Sequence, residues 1–188
     1  AETEVDDRQI NLTRFPIRFP EKRDFFLEGA NIYQFAPRSG VYPYFSRKIG
    51  LQSGNPVPIL FGGRIIGKIG KVEVAAQQVK TRETSSLNSE DFSVIRLKQN
   101  FWKESSVGVL YTRRHTSKGN EINPPLPDRN TLGVDLTLNT STFLKNQNLQ
   151  FQAFAIFHNP NTLNEINNSI WDRSARGIRI NFPNDPWS

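Results

Sequence analysis

From residue 57 onward, hydrophobic and polar positions alternate with a period of two, the mark of strands that turn one face to an apolar environment. In 57–69, Val57, Ile59, Phe61, Gly63, Ile65, Gly67 and Ile69 share one face, and Arg64 and Lys68 fall on the other. In 132–140, Leu132, Val134, Leu136 and Leu138 alternate with Gly133, Asp135, Thr137 and Asn139. Segments 149–157 and 176–182 repeat the pattern, with Gln150, Gln152 and Arg179 on their polar sides. Segments 72–81, 92–100 and 106–115 alternate less regularly, but they are rich in valine and free of proline.

The connections between these segments alternate too. Gly70-Lys71 is a tight hairpin signal, and 101–105 and 144–147 are short. Between them lie long polar stretches at 83–91, 116–130 and 159–173, and Pro183-Asn184-Asp185-Pro186 reads as a further tight turn. Short turns at one end and long loops at the other are the habit of transmembrane β-barrels. The expected fold is therefore all-β, an antiparallel up-and-down meander forming part of a transmembrane barrel over 41–188. Segments of about ten residues, tilted by roughly 40°, cover an apolar band about 25 Å tall. Phe101, Trp102, Tyr111, Phe143 and Phe157 fall at strand ends, where aromatic girdles belong.

Residues 1–40 break the pattern. They form an irregular segment rich in Phe, Arg and Pro, suited to plug a barrel or lead into it. A short helical turn is expected after Pro20, with Glu21 near its start. Val41–Gly50 reads as strand-like.

Composition narrows the choice of environment. Only 36% of residues are hydrophobic, and no run approaches the roughly 18 apolar residues that a spanning helix needs, so helical membrane proteins are excluded and barrels are not. The absence of cysteine removes disulfides, thiolate metal sites and cysteine nucleophiles. The net charge of +6 is spread along the whole chain rather than gathered in a basic stripe, which argues against nucleic acid as a partner. A basic barrel interior, or attraction to anionic lipid, accounts for it. The chain starts at Ala1 and contains no methionine, so removal of a leader or of a larger N-terminal region is expected. It stops after a short turn at Trp187-Ser188, and completion of the barrel by a further segment or another chain is expected.

No catalytic signature is present, and neither a cofactor nor a metal is expected. His115 and His158 stand singly at loop edges, without ligand spacing. The lumen candidates are Arg64, Lys68, Asp135, Thr137, Asn139, Gln150, Gln152 and Arg179, a polar lining able to bind or pass a polar solute such as a glycan. The densest charge cluster is Glu21, Lys22, Arg23, Asp24 and Glu28, expected to pair with Arg47 or Arg64 as a plug or constriction. Two other readings stay open. One is a soluble β-sandwich or small barrel that binds a ligand through Trp102 and Trp171. The other is an envelope hydrolase using Glu21 and Glu28 as its acid–base pair.

The runs Asp6-Asp7-Arg8-Gln9-Ile10-Asn11-Leu12-Thr13-Arg14-Phe15, Phe19-Pro20-Glu21-Lys22-Arg23-Asp24-Phe25-Phe26-Leu27-Glu28-Gly29 and Phe45-Ser46-Arg47-Lys48-Ile49-Gly50 carry a resemblance. So do Val57–Arg64, Gly67–Gly70 and Phe182–Trp187. Together they resemble an uncharacterised family of outer-membrane β-barrel domains of unknown function, found in Bacteroidota and other Gram-negative bacteria behind a carbohydrate-binding module similar to family 9. The resemblance implies a bacterial outer-membrane location and the early part of a larger barrel. It brings no activity and no catalytic residues.

Overall fold

The computed structural model of the chain describes residues 20–37, 39–52, 55–84, 87–117, 127–145, 147–160 and 169–183. Seven long strands form one antiparallel sheet in sequence order: β3 (Ile59–Ile69), β4 (Val72–Thr81), β5 (Glu90–Phe101), β6 (Ser105–Thr116), β7 (Arg129–Phe143), β8 (Gln147–His158) and β9 (Ser174–Asn181). Two short strands before them, β1 (Leu51–Gln52) and β2 (Asn55–Pro56), pair only with each other. The meander expected from the sequence is therefore present. The sheet is open, and β3 and β9 are its edges.

The strand ends joined through 70–71, 102–104 and 144–146 lie at one end of the sheet, and those joined through 82–89, 117–128 and 159–173 at the other. The short ones need left-handed backbone: Gly70 has φ +59°, Trp102 φ +52° and Leu144 φ +45°. Glycine meets that demand without strain, whereas tryptophan and leucine adopt such φ values at a cost.

Strand pairing fixes which side chains share a face. One row runs Ala75, Arg96, Leu110, Gly133, Ile156, and the next runs Glu73, Lys98, Gly108, Asp135, Phe154. The opposite face carries Ile65, Ile95, Leu97, Val109, Leu132, Val134, Ile178 and Ile180, all exposed. The sheet is thus inside-out relative to a water-soluble sandwich, because its cleanest apolar face lies open while its charged face is covered.

Residues 20–50 do the covering. They contain α1 (Asp24–Leu27), a single turn, and a 3-10 turn at Ser46–Lys48. Val41–Gly50, strand-like in sequence, is irregular here. Val41, Tyr44 and Ile49 pack into the core over the sheet, while Tyr42 and Lys48 stay exposed. Tyr33, Phe35 and Ala36 pack on Ala75, Val94, Leu110 and Ile156, while Phe26 and Ile49 pack on Val79. Two close approaches depend on glycine. The ring of Phe35 lies where a side chain at Gly133 would stand, 2.6 Å from the Cβ position, and the Arg96 guanidinium occupies the same kind of space over Gly108, at 2.7 Å.

Candidate functional site

The covered face carries the chain's buried chemistry, and Arg96 is its centre. On β5 this residue is 1% exposed. Its guanidinium donates to both carboxylate oxygens of Asp135 on β7, at 2.5 and 3.0 Å, and to the carbonyls of Ile32 at 3.3 Å and Gln34 at 3.0 Å. The Asp135 carboxylate also accepts the backbone N–H of Ala36 at 3.2 Å. A planar, permanently charged fork suits this geometry, because one side chain binds a carboxylate bidentately and still has N–H groups for backbone carbonyls. The pair fastens residues 32–36 to the sheet.

A second cluster holds α1. Glu21 accepts from Arg23 Nε and Nη2, both at 2.8 Å, from Ser46 Oγ at 2.6 Å, and from the backbone N–H of Lys22 and Arg23, both at 3.1 Å. Arg47 stands 3.9 Å from the same carboxylate. Burial alone would raise the Glu21 pKa, but the hydrogen bonds from Arg23 and Ser46 outweigh it and hold the carboxyl at about 2. Arg23 spends its remaining N–H groups on the carbonyls of Ile49 and Ser46, at 2.8 Å each. Arg64 on β3 reaches up to the Glu28 carboxylate and to the carbonyl of Phe25. Tyr44 donates no charge but ties the segment to β4, accepting from Gln77 Nε2 at 2.9 Å. Burial pushes the Tyr33 phenol up to about 12, so it stays neutral beside Tyr44.

The charge network expected from sequence thus divides. Glu21, Arg23 and Arg47 meet, Glu28 pairs with Arg64, and Asp24 is exposed on the first turn of α1 outside both groups. Glu21 and Glu28 are each engaged by arginine rather than facing one another across a cleft.

The lumen candidates all lie on the covered face. They do not form one cluster. Asn139, Gln150, Gln152 and Arg179 line a hollow of about 160 Å³ under Pro37 at the short-turn end, together with Thr137. Asp135 is engaged by Arg96, Arg64 by the covering segment, and Lys68 is exposed on the edge strand. A neighbouring hollow of about 320 Å³ is bordered by Lys98, Asn100, Lys103 and Glu104. At the long-connection end a larger cavity of about 740 Å³ opens between residues 42–51 and the sheet. Residues 20–50 therefore divide the space above the sheet into two ends.

Sequence reasoning missed Arg96, Gln77 and Arg114. The signal was available for Arg96, since Ile95 and Leu97 bracket it with the right phase. The weak alternation elsewhere in 92–100 obscured it. Among the described residues no group of His, Asp or Glu has the make-up of a metal site, and no helix is long and apolar enough to cross a membrane, which says nothing about a β-barrel. His115 instead bonds Asp128 through Nδ1 at 2.6 Å on the exposed rim.

No curated protein and no solved structure matches the chain. One family model does match, that of a domain of unknown function, DUF5916, over residues 1–59. Its match takes in the covering segment and stops at the first residue of β3, so the chain is similar to that family in the part that lies over the buried charges.

Proposed function

We propose that this chain is a section of a β-barrel in a bacterial outer membrane, with its apolar face on lipid, its polar face lining a lumen, and residues 20–50 as a plug. One observation carries the reading: the sheet exposes its large aliphatic side chains and buries the charges at its centre, Arg96 and Asp135. Ile65, Ile69 and Ile178 are more than 70% exposed, and Arg96 is 1% exposed. Water disfavours such a surface, at about 25 cal/mol per Å² of apolar area, whereas hydrocarbon does not.

Three further features agree. The twelve-residue strands β5, β6 and β8 reach ~40 Å along their length, or ~30 Å after a 40° tilt, enough for the apolar band of an outer-membrane barrel. Aromatic pairs flank the aliphatic band at both ends: Phe101 with Trp102 by the short turns, and Phe157 with Trp171 by the long connections. Short and long connections are sorted by end of the sheet. The unpaired edges of β3 and β9 call for further strands, from this or another chain, to complete closure in lipid. The amide-rich hollow around Asn139, Gln150 and Gln152 suits a small polar solute such as a glycan, and the plug makes passage conditional on its movement.

The test is migration in detergent gels with and without boiling, together with partition into lipid vesicles. The expected result is a heat-dependent mobility shift and protease protection of β3–β9 in vesicles. A protein that stays monodisperse in plain buffer and never enters vesicles would instead be a soluble sheet protein, and the membrane reading would fall.

A further inference from the structure

The cavity at the long-connection end has a make-up that the barrel reading does not require. It measures about 740 Å³, within the range of pockets that enclose a small organic ligand. Its roof is residues 42–51 and its floor is the covered face of β4 to β8. The floor is apolar in the middle, with Phe92 and Val94, and polar around it, with Gln77, Thr112 and Thr131. Four cations border it: Lys48 from the roof, Arg113 and Arg114 from β6 and Arg129 from β7, and of these Arg113 is taken up by Asp128 at 3.4 Å.

The opposing charge is small. Among the described residues Glu90 is the one acid on the wall, and it stands 3.8 Å from Arg114 Nε, beyond hydrogen-bond distance. Arg114 Nε is buried without a hydrogen-bond partner among the described residues. Arg129 and Lys48 form no ion pair with any described residue. Lys48, Arg114 and Arg129 around one open-sided space repel one another, a repulsion that Glu90 offsets only in part, and the Arg114 Nε–H is left as a free donor for a ligand among the described residues. Tyr42 and Phe92 add aromatic surface beside the cations, which favours a ligand with a flat or ring-shaped body.

We propose that this cavity binds a ring-bearing organic anion, its acidic group held by Arg114, Arg129 and Lys48 and its ring lying against Phe92 and Tyr42. The shared chemistry is a carboxylate or a phosphate on a ring. The site goes beyond the barrel reading and does not rest on it, because roof and floor belong to this chain whatever lies against the outer face.

The experiment uses the full chain in detergent or lipid nanodiscs and three water-soluble probes: benzoate, phenyl phosphate and benzamide, the uncharged isostere of benzoate. Binding is read by saturation-transfer NMR and by calorimetry. At least one anion should bind saturably and ten-fold or more tighter than benzamide, and whichever anion binds more tightly identifies the head group. Arg129→Gln and Lys48→Gln, both on exposed side chains, should each weaken that anion about five-fold, and raised salt should weaken it further. Lys145→Gln, at the far end of the sheet, should change nothing. Equal binding of benzamide and the anions, no saturable binding of either anion, or indifference to Arg129→Gln and Lys48→Gln together would each overturn the proposal. The gel-mobility shift of the barrel reading is unaffected by any of these outcomes, so the two can fail separately.

Discussion

Asp135→Asn is the substitution that most directly probes how the covering segment is held. The carboxylate is almost fully enclosed, and the guanidinium it faces is 1% exposed. Replacing it with an amide keeps the size and removes the charge. Arg96 then sits in a low-dielectric site with its charge met only by the carbonyls of Ile32 and Gln34. Breaking one side of a buried pair costs about 3–5 kcal/mol; the amide oxygen still accepts one bond, so the lower end, about 3 kcal/mol, is expected. The cost falls on docking of residues 32–36, because the sheet ladder on either side of β5 is untouched. Peptides covering 32–37 should therefore exchange their amide hydrogens roughly 100-fold faster, each factor of ten being about 1.4 kcal/mol. Exchange within β6 should barely move. Arg96→Met with Asp135→Leu removes the unpaired buried charge, so global stability should recover most of the loss, yet 32–36 should stay undocked, since the backbone groups of Ile32, Gln34 and Ala36 lose their partners. The reasoning is refuted if Asp135→Asn changes stability by less than about 0.5 kcal/mol and leaves exchange at 32–37 unaltered, the behaviour of an ordinary surface site.

Gly133→Ala should destabilise by about 1–3 kcal/mol in a urea titration, because a Cβ there would lie 2.6 Å from the Phe35 ring; Phe35→Leu in the same chain should recover part of the loss. Ile95→Lys should cost about 2–4 kcal/mol for the protein folded in lipid vesicles, as expected for a cation on the lipid face of a barrel, and less than about 0.5 kcal/mol if that face meets water. The Glu21 pKa is depressed from 4.5 to about 2, so the stabilisation it gives is complete above pH 4.5 and is lost as pH falls toward 2. Near-ultraviolet circular dichroism of the packed Tyr33 and Tyr44 should report that loss as an acid step, which Glu21→Gln removes.

The strands were legible because period-two alternation is a local property of the chain. Val134, Asp135 and Leu136 state their faces without reference to any neighbour. The common face of Arg64, Lys68, Asp135, Thr137, Asn139, Gln150, Gln152 and Arg179 followed from the same alternation. What each of these does was not legible. Asp135 and Gln152 look alike in sequence, yet one holds a buried arginine and the other lines a hollow. The difference lies in which side chains stand across the sheet and above it. Arg23, Glu21 and Arg47 were recognisable as a charge cluster, and their agreement with Ser46 depends on a 3-10 turn that Val41–Gly50 does not advertise.

Sequence by itself determined a meander of amphipathic strands, the sorting of short and long connections, and a separate aromatic and charged leading segment. These are set by side-chain period and turn chemistry, which act over a few residues. Tertiary structure alone decided which face is covered. Either face of an alternating strand can be buried. Here the leading segment packs on the charged one because Arg96 and Asp135, 39 residues apart, close a pair that its backbone completes, while Gly108 and Gly133 leave room for Arg96 and Phe35 to lie flat. That choice leaves the aliphatic face open, the feature on which the proposed membrane location rests.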